Sequence, residues 1–199
     1  MKKFGFLLIF FFVLSYNSSL KAYSSNPNDF VFELVTDIIT KLSSKDINDD
    51  EKRIFIENIA LENVDIRALG LYTLGEIRKS ADKEDIKNYQ KTFQKYFLKS
   101  LTSRLSDYSS SKFEITGFDK KSSNYTIVNS KVIPESGDPE IKIDWRIYTK
   151  NPEKPLIRDL IVEGLSLART QKEEFASILS SNNNEIVTLI EKLEEFVNK

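Results

Sequence analysis

The chain of 199 residues contains no cysteine and no histidine. Those two absences exclude a Ser-His-Asp triad, a cysteine nucleophile and the usual zinc sites, all of which need an imidazole or a thiolate. No glycine-rich phosphate loop and no calcium loop with the required Asp/Asn spacing is present either. Gly164-Leu165-Ser166 is similar to a nucleophile elbow, but Ala168 stands where the second glycine belongs and no base exists to activate Ser166. Ser166 reads instead as a helix N-cap, its hydroxyl accepting from free backbone N–H groups. Carboxylate-only chemistry survives on composition alone. The acidic residues, however, alternate with lysines on faces that read as solvated.

A long membrane-spanning run is also missing. Met1-Lys2-Lys3 is followed by an almost uninterrupted apolar stretch from Phe4 to Leu14, then by polar residues and Ala22. A spanning helix needs about 20 apolar residues, so this run is too short. Its layout is that of a secretory leader over residues 1–22, with a mature domain over 23–199. Leu20 stands where a small residue is usual, and the lack of cysteine rules out a lipid-modified amino-terminal cysteine. Cleavage would remove Lys2, Lys3 and Lys21, lowering Lys+Arg from 29 to 26 against 30 Asp+Glu, a net charge of about −4. A mildly acidic surface argues against nucleic-acid binding and against polybasic attachment to anionic membranes. An exported chain without disulfides must hold together by packing, and its length suits one domain.

The hydrophobic period divides the chain in two. Phe30, Leu34, Ile38 and Leu42 recur at helical spacing over residues 29–42. Asn48 and Glu51 form a capping pattern for a second helix carrying Ile54, Ile56, Ile59 and Leu61. Asp65 caps a third, which ends near Gly75. The longest helical pattern covers residues 80–108, with Ile86, Tyr89, Phe93, Phe97, Leu101, Leu105 and Tyr108 on one face and lysines on another. From Lys112 the period becomes two. Strands are expected over 113–116, 124–133, 140–148 and 156–162, with a polar turn at 120–124 and a central place for the last, which is apolar on both sides. Helices follow over 167–179 and 184–196. The expected class is α+β: a mostly antiparallel sheet of about four strands, helices packed on one face, and a helical amino-terminal half.

One run carries a more specific signal. The strand at 156–162 leads through Asp159-x-x-x-Glu163-Gly164-x-Ser166 directly into an amphipathic helix with Phe175 on it. Upstream, Leu74-Gly75 precedes Ile77-Arg78-Lys79-Ser80-Ala81 and the long helix. From about Val64 to Phe196 these features, in this order, resemble the MlaC family, also called toluene-tolerance auxiliary proteins. Departures exist: Glu76 and Ile77 replace aromatics that the family often places after Leu-Gly. Arg158 stands where a tyrosine usually precedes the aspartate, and an Asn run opens the last helix in place of a glycine.

The resemblance implies a periplasmic phospholipid-binding shuttle with no catalytic role and no cofactor. It implies an apolar pocket between sheet and helices that hides the acyl chains. Carried onto this chain, the candidate lining is Leu74, Phe93, Phe97 and Leu101 from the helices. Ile127, Ile143, Trp145, Leu160, Val162 and Leu165 would supply the sheet side. For any one of these residues, ordinary core packing is the competing reading. The implied partners are an inner-membrane ABC lipid transporter complex and an outer-membrane lipoprotein–porin complex. Arg169, Lys172 and Glu173 are candidate docking residues, although charged helix faces are usually just solvated. A binding protein for another apolar ligand, such as a sterol or hopanoid, would share this architecture. A structural or chaperone-like protein would share it without any internal ligand.

Overall fold

The computed structural model describes residues 22–105, 111–135 and 137–199. Residues 1–21 of the expected leader lie outside the described residues, as does Tyr108 at the expected end of the long helix.

Helix α1 (Pro27–Ser43) opens on Asn26, whose side chain accepts from the backbone N–H groups of Asn28 and Asp29. Pro27 in the first turn loses nothing by lacking an N–H, so the helix starts two residues before the expected residue 29. Helix α2 (Asp49–Asn63) has the expected capping box. The Asn48 side chain accepts from Glu51 N–H at 3.0 Å, and the Glu51 carboxylate accepts from Asn48 N–H at 2.9 Å. Asp65 caps α3 (Ile66–Thr73) through Ala68 N–H at 3.1 Å. A 3-10 turn, Gly75–Lys79, then delays the long helix α4 (Lys83–Leu105) beyond the expected start at residue 80.

Five antiparallel strands follow: β1 (Ser111–Ser122), β2 (Tyr125–Pro134), β3 (Ile141–Tyr148), β4 (Leu156–Val162) and β5 (Leu165–Ser166), ordered as in the chain. The fifth is a two-residue strand that the sequence reading placed inside the strand-to-helix turn. Strand β1 runs through the turn expected at residue 120, pairing Lys120 with Thr126 and Ser122 with Tyr125. Backbone pairing does not depend on apolar side chains, so the polar end of the strand carried no period to read.

The central place expected for β4 is not found, since only the short β5 lies beyond it. Its flank is closed by β5 and by a single parallel bridge between Ile157 and Val64. Helices α3 and α5 (Leu167–Ser180) pack against it, while its apolar Ile157 and Leu160 join the sheet core with residues of α1, α2, β2 and β3. Helix α6 (Ile186–Asn198) starts two residues later than expected. Asn183 and Asn184 adopt φ of 53° and 60°, a left-handed conformation that asparagine tolerates and a helix cannot include.

The sheet has an apolar face and a polar face. Thr126, Val128, Ser130 and Val132 are buried on β2, and they pair with Ile147, Trp145, Ile143 and Ile141 of β3. The opposite face carries an Asn129–Asp144 hydrogen bond of 2.7 Å and ion pairs from Lys131 to Glu114 and Glu140. Helix α1 lies against β1 and β2, and its Phe30, Val31, Leu34 and Val35 form one core with Ile59, Val128, Trp145, Ile147 and Ile157. A second core joins α3, α4, α5 and α6 through Ile66, Leu74, Tyr89, Phe93, Phe175, Leu179, Ile186, Leu189 and Leu193. Each such large side chain contributes about 1.5–3 kcal/mol when fully buried. Val64 packs against both clusters, so the cores meet where α2 gives way to α3.

Candidate functional site: a braced turn and the apolar candidates around it

The motif at residues 159–166 builds a braced turn. Val162 pairs with Leu165, and the two residues between them, Glu163 and Gly164, have φ of 49° and 83°. Positive φ at both central positions is the type I′ pattern, whose twist matches that of the flanking strands. Glu163 also exchanges hydrogen bonds with Lys142 of β3, its N–H donating to the Lys142 carbonyl at 3.0 Å. Its carboxylate accepts from Lys142 N–H at 2.5 Å.

Asp159 is the centre of the motif and is only 3 % exposed. One carboxylate oxygen accepts the Ser166 hydroxyl at 2.7 Å and Arg146 at 3.2 Å; the other accepts Ala168 N–H at 3.0 Å. Ser166 then accepts from Arg169 N–H at 3.1 Å. Two free N–H groups in the first turn of α5 are thereby satisfied, and the negative charge sits at the positive end of the helix. The N-cap reading of Ser166 is therefore what the geometry has, and the motif's polar residues serve the backbone.

Arg158, the neighbour that departs from the family pattern, ties the sheet to the helices. Its guanidinium lies 3.4 Å from the Tyr148 ring centroid, donates to the Tyr125 hydroxyl at 3.0 Å, and pairs with Asp65 at 2.7 Å. Asp65 is at once the N-cap of α3. Burial opposes the charge on Arg158, but its bonds to Tyr125 and Asp65 outweigh it and raise the guanidinium pKa. Nothing in the sequence joins residues 65, 125, 148 and 158; the β4 bulge that leaves Arg158 unpaired does.

The ten candidate lining residues divide by environment. Leu74 and Phe93 are 2 % exposed and belong to the helical core, where Phe93 stacks on Tyr89 and meets Phe175 edge-on. Trp145 is buried in the sheet core, its indole N–H donating to Ser130 at 2.8 Å and its ring edge-on to Phe113. Phe97, Leu101, Ile143, Leu160 and Val162 are half-buried. Phe97 borders the helical core, while Ile143 and Leu160 border the sheet core. Val162 pairs with Ile143, and Leu160 with Trp145, so all four share the apolar face. Ile127 points to the opposite, polar face, beside Asp119 and Arg146 in register. Leu165 is 68 % exposed at the rim of the type I′ turn.

Leu98 borders the helical core, and Phe113 and Ile115 border the sheet core, although none was among the candidates. Phe113 and Ile115 had been read as strand residues, but only their pairing with Val132 and Ser130 puts them on the face of Ile143. Among the described residues, α4 packs chiefly on α6, α3 and α2, and no strand is among its principal neighbours. Half-buried Phe97 and Leu98 of α4 thus border one core, and half-buried Phe113, Ile115, Ile143 and Leu160 of the sheet border the other. A cleft of about 400 Å³ between α2, α4 and α6, lined by Arg53, Glu57, Lys95, Leu98, Lys99, Thr102 and Val197, contains none of the ten candidates. Of the docking candidates, Arg169 and Glu173 are exposed, whereas Lys172 is half-buried over the Tyr72 ring at 5.3 Å. Among the described residues no helix is long and apolar enough to cross a membrane, and no group of three or more His, Cys, Asp or Glu could hold a metal ion.

The architecture has a counterpart among solved structures. It matches the solved structure of a phospholipid-binding protein from Ralstonia solanacearum in complex with a phospholipid, with a TM-score of 0.71 and 18% identity. The match covers 90% of this chain and all of that one. The MlaC protein family matches residues 31–195, and the chain belongs to that family.

Proposed function

We propose that the protein is an exported phospholipid carrier that moves single lipids between the two membranes of the envelope. Its leader, residues 1–22, directs it to the periplasm. Half-buried apolar residues on both sides of the proposed seam support the binding reading: Phe97 and Leu101 on α4, and Ile143, Leu160 and Val162 on the sheet, with no strand among the principal neighbours of α4. Such surfaces are stable when something apolar lies between them. Membership of the MlaC family and the fold shared with a phospholipid complex favour acyl chains as that occupant.

The energetics explain why a carrier is required. Each methylene taken from lipid into water costs about 0.8 kcal/mol, so two ordinary acyl chains of about thirty methylenes cost on the order of 24 kcal/mol. Polar contacts do not offset a term of that size. Hydrocarbon-lined space does, because it replaces one apolar surface with another. Leu74, Phe93 and Trp145 form the walls behind the seam, and Leu165 lies at its outer rim. The chain has no ATP-binding motif, so the energy for directional transfer comes from partners: an inner-membrane ABC lipid transporter complex and an outer-membrane lipoprotein–porin complex.

Extraction of the protein purified from its native compartment, followed by mass spectrometry, tests this reading. One phospholipid per chain is the expected result. A sterol or hopanoid would redirect the reading to another apolar ligand, and a protein that contains no lipid and takes up none would overturn it.

A further inference from the structure

The first described residues form a corner that the lipid site does not use. Tyr23 packs edge-on against Phe30 with ring centroids 6.2 Å apart and joins the sheet core. Its hydroxyl donates to Asp37 at 3.2 Å, and the next backbone N–H, that of Ser24, donates to Glu33 at 3.0 Å. Glu33 and Asp37 are four residues apart on α1, so they share a face, and like charges at that spacing repel. Glu62 of α2 acts on the same corner: burial first, then Asp37, Glu62 and Glu33, push the Tyr23 phenol well above its ordinary range. These three carboxylates, from α1 and α2, are charged groups that act on Tyr23.

The expected cleavage site adjoins this corner. One residue of chain spans at most about 3.6 Å, so the Tyr23 nitrogen lies a single peptide unit from the Ser24–Glu33 hydrogen bond. In the precursor that nitrogen is a neutral amide. Removing residues 1–22 takes away Lys21 and converts the amide into an ammonium. The ring of Tyr23, fixed in the core, determines where that ammonium appears.

We propose that cleavage between Ala22 and Tyr23 completes an ion-pair site: the new α-ammonium pairs with Glu33, within the field of Asp37 and Glu62, and fastens the mature amino terminus to α1. Processing then does more than release the protein. It stabilises α1, the helix that supplies Phe30, Val31, Leu34 and Val35 to the sheet core. The inference rests on the export reading above and is independent of what the seam binds.

The sign of the effect follows from linkage. An ammonium beside carboxylates has a folded-state pKa above its ordinary value of about 7.7–8.0. Its contribution is present in full below that ordinary value and disappears as pH rises through the folded-state value.

The test compares residues 23–199 with a free amine against the same chain acetylated at Tyr23; this segment holds every side chain of both cores. At pH 6.5 the free amine should melt several degrees higher, the difference should vanish above pH 10, and Glu33→Gln should remove most of it. An amine pKa raised by half a unit or more, measured by NMR on the ¹⁵N-labelled protein, is expected alongside. Equal melting of the two forms, or an amine titrating at its ordinary value, overturns the proposal. The intact mass of exported protein supplies the other arm: a chain beginning at Tyr23 supports it, and any other start overturns it. Lipid content is measured separately, so failure here is distinguishable from failure of the carrier reading.

Discussion

The hydroxyl of Ser166 donates to the buried carboxylate of Asp159 at 2.7 Å, and this one bond joins β4 to the first turn of α5. Because Asp159 also accepts from Ala168 N–H on α5 and from Arg146 on β3, a single side chain fixes a strand, a helix end and a neighbouring strand. The candidate lining residues Leu160 and Val162 follow it on β4, so their positions depend on it.

Asp159→Ala should therefore be the costliest polar substitution in the motif. It strands Arg146 and two helix donors, and breaking a well-buried pair typically costs about 3–5 kcal/mol. Arg146 is 41% exposed in its side chain and can turn to water, which puts the expected loss near the lower end, about 3 kcal/mol. Ser166→Ala removes one cap and should cost about 1 kcal/mol. Urea denaturation of both variants checks the order, and a Ser166→Ala loss as large as that of Asp159→Ala would show that the aspartate is not the centre.

Gly164→Val should destabilise the turn by strain and not by crowding. A Cβ at Gly164 meets no atom within 4 Å, yet φ is +83°, where L side chains are rarely found. The cost expected for such a position is about 1–3 kcal/mol. Gly164→Asn should recover part of it, since asparagine accepts positive φ. Thermal melts in which valine and asparagine behave alike would argue against backbone strain.

Gly70 makes the opposite case, a close approach between helices. Its added Cβ would stand 2.9 Å from the Phe93 ring and 2.9 Å from the Gln90 amide. Gln90 can move aside, but Phe93 is fixed among Tyr89, Tyr96, Phe97 and Phe175. Gly70→Ala should cost about 1–3 kcal/mol through overpacking. Combining it with Phe93→Leu should recover part of the loss, and strictly additive losses in the double variant would refute the contact.

Lipid content should separate wall from lining. Trp145→Ala empties a packed site and leaves Ser130 without its indole donor, so a loss of about 3–5 kcal/mol is expected with or without lipid. Phe97→Ala should cost less while lipid is bound, because flexible acyl chains move into the space, and more once the lipid is stripped. Melting curves of loaded and delipidated protein distinguish the two. Equal losses for Phe97→Ala in both states would place the acyl chains elsewhere.

Much of the fold was legible because it is written locally. The caps at Asn48, Asp65 and Ser166 each concern a side chain and a backbone N–H three residues on, and all three occur in the structure. The stripe of α4 and the alternation in β3 are equally local. The short β5 was not legible, since two residues are too few to show a period. The expected contact set suffered for a related reason: alternation identifies two faces of a strand without saying which is covered. That is why Ile127 was grouped with residues from which the sheet separates it.

The amino-acid sequence by itself determined the α+β class, the capped starts of α2, α3 and α5, the absence of thiol and imidazole chemistry, and the motif that marks the family. Those properties reside in composition or in spacings of a few residues. Tertiary structure alone decided that Arg158 would reach Asp65 across 93 positions, that α3 and α5 would pack against β4, and that the apolar residues would form two cores. Hydrophobic burial is non-directional and rewards any apolar partner. Which partner a residue meets is therefore settled only when strand register and helix packing bring distant segments together.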